Sequence, residues 1–158
     1  MSRRRCRLAT MLASLLVLAL SALLSSATSI PVGRGSMPVG ANLPYYLLYA
    51  LPAKLSGAPL ADEHEDASYV YQVTSVSGPD PSNPDSRGVA DQAEWMADKA
   101  RKVFLGRDPA TGLWLHTLTI PGAKVTGRSL DVEAGGTNDP ADAIMSYVQR
   151  FRVDLTPA

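Results

Sequence analysis

The side chains best equipped for chemistry stand in one run, Asp62-Glu63-His64-Glu65-Asp66. Oxygen- and nitrogen-bearing groups in succession could gather a hard cation such as Ca²⁺. Neighbours in an extended segment point in alternate directions, however, and no glycine forces a tight ligand loop. The spacing fits neither an EF-hand nor a His-Glu-x-x-His zinc pattern, so the run reads as a solvated acidic loop. His116, between Leu115 and Thr117, reads as a structural or surface residue rather than a general base. Cys6 is the single cysteine, which excludes an intrachain disulfide and a cysteine metal site. No serine sits in a Gly-x-Ser-x-Gly elbow, and the glycines make neither a phosphate loop nor a dinucleotide fingerprint. Arg150 and Arg152 share a strand face and could touch phosphate or acidic side chains, but two cations read as a solvated or subunit-contacting face. The expectation is a protein that is not an enzyme, with no cofactor, no metal and no small-molecule substrate.

The elements that carry these residues follow from periodicity. Tyr69–Ser77 alternates as a strand, with Tyr69, Tyr71 and Val73 on one face and Val70, Thr74 and Val76 on the other. A loop containing Gly78, Pro79, Pro81, Pro84 and Gly88 follows. The next segment has a helical period, with Val89, Ala93, Met96, Ala97, Ala100, Val103 and Phe104 on one side. Trp95 falls off that side, among Gln92, Lys99 and Lys102, where a large aromatic wants cover from the proline-rich loop or from another chain. Tyr45–Leu51 is a short apolar strand between Pro44 and Pro52. Leu113–Thr119 fits a strand or an irregular connection. Ala123–Val132 reads as a third main strand, with Leu130 and Val132 sharing a face with Lys124, Thr126 and Arg128. A turn over 135–140 then leads into a last strand, Ile144–Leu155, with Met145, Tyr147, Phe151, Val153 and Leu155 on its apolar face. The fold class expected is α+β: a small single domain with an antiparallel sheet of about four strands and one or two helices packed on it.

At 158 residues the chain suits one domain, and its 15 basic and 15 acidic residues balance. The balance is uneven along the chain. Arg3, Arg4, Arg5 and Arg7 open it, and from residue 28 onward 11 basic residues face 15 acidic ones, a net of −4. That acidic body argues against a dedicated nucleic-acid binder. Residues 1–29 form an apolar helical segment ahead of a domain at 30–158. Four arginines, a Leu/Ala-rich core from Leu8 to Leu24 and small residues after it match a secretory signal peptide, and the apolar core is short for a membrane anchor. The alternative is a domain helix. Thr10, Ser14, Ser21 and Ser25 lie within about 60° of one another on a helix, a stripe that a helix touching water along one edge would carry. On residue types alone the signal peptide leads.

With no chemistry to assign, surface for partners remains. Trp95, the tyrosine-rich strand with Tyr45 and Tyr46, and the strand-face pair Arg150 and Arg152 are the interface candidates.

Four stretches together resemble the tail terminator or head–tail joining (neck) proteins of actinobacterial long-tailed phages and prophages. They are LPYYLLYALP at 43–52, YVYQVTSVSG at 69–78, QAEWMADKARKVFLGRD at 92–108 and NDPADAIMSYVQRFRVDLTPA at 138–158. The resemblance covers about residues 30–158. It implies a small α+β sandwich assembling into a hexameric ring that caps the tail tube, ends its growth and joins the tail to the head connector. The implied partners are further copies of the chain, a tail tube protein and a head-completion protein, with DNA only passing through the lumen. The implied location is the virion, assembled in the host cytoplasm. In that family the chain opens with a helix, which maps onto Leu8–Ser26 and places the domain-helix reading ahead of export. The competing reading is a secreted or surface-bound bacterial binding domain released from its signal peptide.

Overall fold

The computed structural model describes residues 2–40, 42–55, 66–79, 82–83, 88–139 and 144–158, with the side chains of 2–11, 55, 138 and 139 left aside. In chain order the elements are α1 (Ser2–Thr28), β1 (Val32–Arg34), β2 (Tyr45–Ala50), β3 (Lys54–Leu55), β4 (Ala67–Ser77), α2 (Ala90–Leu105), β5 (Ala123–Asp139) and β6 (Ile144–Pro157). The sheet order is β1-β2-β4-β6-β5, with β3 also paired to β4, and every pairing is antiparallel except β1 with β2. Both helices lie on one face. The α+β expectation holds, with two short strands added that are too brief to leave a periodic trace.

Period-two alternation decides which residues enter the core. Tyr46 and Leu48 of β2, Tyr69, Tyr71 and Val73 of β4, and Phe151, Val153 and Leu155 of β6 point under the helices and are buried. From α2, Met96, Ala100, Val103 and Phe104 meet them, with Phe104 packing edge-to-face on Phe151 at 5.0 Å between ring centres. α1 adds Leu12, Leu16, Leu20 and Leu24, one residue per turn. A stripe at a strict four-residue interval runs obliquely along a helix, the ridge that helices use when they pack across one another. Two tyrosine tips fix both helices to the sheet: the Tyr46 hydroxyl donates to the Met96 carbonyl at 2.7 Å and that of Tyr71 to Ala13 at 3.2 Å. Burial pushes the pKa of both phenols up, which keeps them protonated donors.

The side chain of the residue before α2, Val89, caps nothing, so a neighbouring element does the work. The buried Ser77 hydroxyl at the end of β4 accepts from the Val89 amide at 3.0 Å and donates to Gln92 at 2.6 Å. At the other end Gly106 donates to Lys102 at 2.9 Å. A Cβ there would stand 2.3 Å from the Lys102 carbonyl oxygen, so only glycine lets the chain turn this closely.

Three expectations change, and one of two alternatives is chosen. Val89 is 53% exposed rather than part of the apolar face of α2. The segment Leu113–Thr119 is an irregular connection in which only Trp114 forms a bridge, to Arg107. Register shifts at 125/127, 130/132 and 133/135 break the alternation of β5, so Val132 turns outward and is separated from Leu130, which packs on the core. The glycine-rich stretch read as a turn continues the strand through Asp139, with Gly135 at φ 80° absorbing one of those shifts. The acidic run falls outside the described residues except for Asp66, which is exposed, and most of the proline-rich loop falls outside them as well.

Under the second half of α2 a polar cluster crosses the layers. The Glu133 carboxylate of β5 accepts from Tyr147 at 3.0 Å and from Gln149 at 3.2 Å, and pairs with Arg101 of α2. Burial alone would raise the Glu133 pKa, but the hydrogen bonds from Gln149 and Tyr147 and the charge of Arg101 outweigh it and hold it low. A carboxyl with a lowered folded pKa stabilises above its unfolded value and loses that stabilisation as pH falls through the folded one. Glu133→Gln should therefore cost below about 1 kcal/mol near neutral pH, since the pair is part-exposed. In urea melts the difference from wild type should begin to shrink as pH falls through the ordinary glutamate pKa of 4.5 and vanish only below the lowered folded value.

Candidate functional site

With both helices on one side, no helix covers the opposite face of the sheet among the described residues. Its residues stand in cross-strand rows fixed by the register: Tyr49, Gln72 and Arg150 in one, Leu47, Thr74 and Val148 in the next, Tyr45, Val76 and Ser146 beyond. Tyr45, Leu47, Tyr49, Val70 and Val148 are half-buried there, an apolar field crossed by polar groups. Arg150 donates to Gln72 at 3.4 Å. Arg152 is tied to the Asp154 carboxylate at 2.9 Å and to the Ser68 hydroxyl at 3.0 Å, which neutralises its charge within the chain. Of the candidates, Tyr45, Arg150 and Arg152 therefore share one face.

Tyr46 does not. Alternation turns it the other way, it has no exposed surface, and its hydroxyl is satisfied inside the chain, so it is a core residue and not an interface residue. Trp95 lies on the far side of the molecule, on the outer face of α2 and 50% exposed. The Lys99 ammonium sits 4.0 Å from its ring centre, a cation–π contact that leaves much of the indole uncovered. Trp95→Ala should change the melting free energy by no more than about 0.5 kcal/mol, the range of surface substitutions. It should also weaken any self-association measured by sedimentation. Loss of the fold instead would make Trp95 a core residue.

One constellation has no counterpart in the sequence reading. Trp114, on the connection between α2 and β5, is clamped between two guanidinium groups, with the central carbon of Arg107 3.7 Å and that of Arg128 4.9 Å from its ring centre. Arg128 also donates to the carbonyls of His116 at 2.9 Å and Phe104 at 3.4 Å. Burial first, and the Arg107 charge second, lower its pKa. The Arg107 side chain and the Asp108 carboxylate brace the turn over 108–113, the first by donating to Gly112 at 2.8 Å, the second by accepting from the Ala110 amide at 2.8 Å. Beside Trp114 opens a cleft of about 430 Å³. Arg107, Trp114 and Arg128 are 7 and 14 residues apart in the chain, a separation no local motif would flag.

Catalytic geometry is not assembled by these groups. His116 is half-buried and contributes its carbonyl to Arg128. Among the described residues no group of three or more His, Cys, Asp or Glu could hold a metal, and no helix is long and apolar enough to cross a membrane.

No family of known proteins matches this chain, and no curated protein does. A solved structure does. A chain from the virion of a native gene transfer agent particle superposes with a TM-score of 0.59 at 14% identity, covering 92% of this chain and 97% of that one. The likeness is one of fold, and it extends over nearly the whole of both chains.

Proposed function

We propose that this chain is a structural, non-enzymatic virion protein: a tail terminator that forms a ring, caps the tail tube and joins the tail to the head connector. The observation that carries this reading is the full-length likeness of fold to a chain of a virion particle. The resemblance of four stretches of sequence to tail terminator and neck proteins supports the finer assignment. So does the division of the candidate contact residues between opposite faces, Trp95 on one and Tyr45, Arg150 and Arg152 on the other. A subunit with different contact surfaces on its two sides suits heterologous contacts that close into a ring.

The mechanism is steric. A ring matching the last ring of the tube on one side, and offering no site for another tube subunit on the other, ends growth. A net-acidic body lets DNA pass through the lumen without holding it. The test is light scattering on the full chain, alone and with a tail tube protein added. A ring of about six copies is expected; a strict monomer under both conditions overturns the reading. The genes flanking this one provide a second check, because portal, connector and tape-measure genes are expected there.

A further inference from the structure

The cleft beside Trp114 is walled by apolar Leu113, Leu118, Ile120 and Val125 and by two cations, Lys124 and Arg128. Among the described residues no carboxylate lines it, and none pairs with Arg107, Lys124 or Arg128. The Nε of Arg128 is buried without a hydrogen-bond partner. Positive charge held against an apolar wall without a counter-ion calls for an anion. The walls are already shaped: the turn is braced, the indole is clamped, and Leu113 stands 68% exposed at the rim.

The same chain carries the complementary chemistry. Asp62, Glu63, Glu65 and Asp66 place four carboxylates within five residues, with Leu60 just before them. We propose that the Trp114 cleft receives the acidic run 62–66 of a neighbouring copy, carboxylates toward Lys124 and Arg128 and an apolar residue against Leu113 and Ile120. This rests on the ring reading and deepens it. Each copy then presents one donor segment, which joins the sheet at the start of β4, and one acceptor cleft, which borders the start of β5. That is the arrangement a closing head-to-tail contact requires.

Charge exchange tests it. Lys124 is exposed and has no ion-pair partner among the described residues, so Lys124→Glu spares the fold, and Glu63→Lys alters the donor. Assembly of the full-length protein is followed by light scattering over a concentration series, with a thermal melt of each variant. Each single change should weaken assembly about tenfold or more, and the doubly changed chain, with both charges exchanged, should regain most of it. Leu113→Asp should weaken assembly without rescue by Glu63→Lys. If wild type assembles and Lys124→Glu assembles equally well, the cleft inference falls and the ring stands. A wild type that stays monomeric with and without the tube protein removes both. Melting lowered with assembly intact would mean that the run docks in its own chain. Retention of a single-stranded oligonucleotide that Lys124→Glu abolishes, with assembly unchanged, would mean a phosphate site. Either result overturns the proposal.

Discussion

Removing residues 1–28 should leave a chain that no longer folds cooperatively. Leu12, Leu16, Leu20 and Leu24 of α1 all lie within the hydrophobic core, and the Tyr71 hydroxyl is tied to the α1 backbone. Truncating one such leucine to alanine costs about 2–5 kcal/mol, so losing four exceeds most of the roughly 5–15 kcal/mol by which a domain is stable. The buried tyrosines of β2 and β4 would also open to water. Circular dichroism melts and limited proteolysis of residues 29–158 against the full chain measure the effect. Leu16→Asp in the full chain, which buries an unpaired charge, should be nearly as damaging. A truncated chain that melts within about 1 kcal/mol of the intact one would show that the first segment is dispensable, and would return the secreted reading to the front. The experiment therefore separates the two readings of the N-terminus as well as testing the core.

The second large effect belongs to Tyr46. Tyr46→Ala should destabilise by about 3–5 kcal/mol, the cost of deleting a buried aromatic. Tyr46→Phe, which keeps the ring and removes only the hydrogen bond to Met96, should cost about 1 kcal/mol. Its neighbour Tyr45, half-buried on the open face, should tolerate alanine with a loss of about 1 kcal/mol or less. Urea unfolding of the three variants checks the order. Equal effects at positions 45 and 46 would mean that the strand does not alternate as described. The contrast matters for function, because only Tyr45 remains available to a partner.

What the sequence revealed tracks the range over which each feature is encoded. β4, α2 and β6 carry long runs with a clean period, and their core residues were legible almost one by one, from Tyr69 to Leu155. β1 and β3 span three residues and two, too few for an alternation to show, so no pattern marks them. In β5 the glycines at 135 and 136 look like a turn to any local rule, and only pairing with Val148 and Tyr147 shows them as strand. α1 was ambiguous for a physical reason: a helix built to enter a core and one built for export are both rich in leucine. The interval of four between its buried leucines was in the chain all along, but it acquires meaning only once a surface lies beneath it. The Arg107–Trp114–Arg128 clamp was invisible because Arg128 reaches Trp114 only once β5 has paired. Tyr46 was misplaced because a strand apolar on both faces gives no sign of which side turns inward.

The interruptions in β5 bear on how copies of this protein are kept from aggregating. β5 is the edge strand of the sheet, seventeen residues long, and among the described residues its outer row of amides and carbonyls has no neighbouring strand. An edge of that length would ordinarily template the addition of a strand from another molecule. Three register shifts divide it into short pieces, the longest spanning 135–139, and the bend at each one throws an incoming strand out of step. At high concentration the chain is thereby steered away from runaway sheet growth and fibrils.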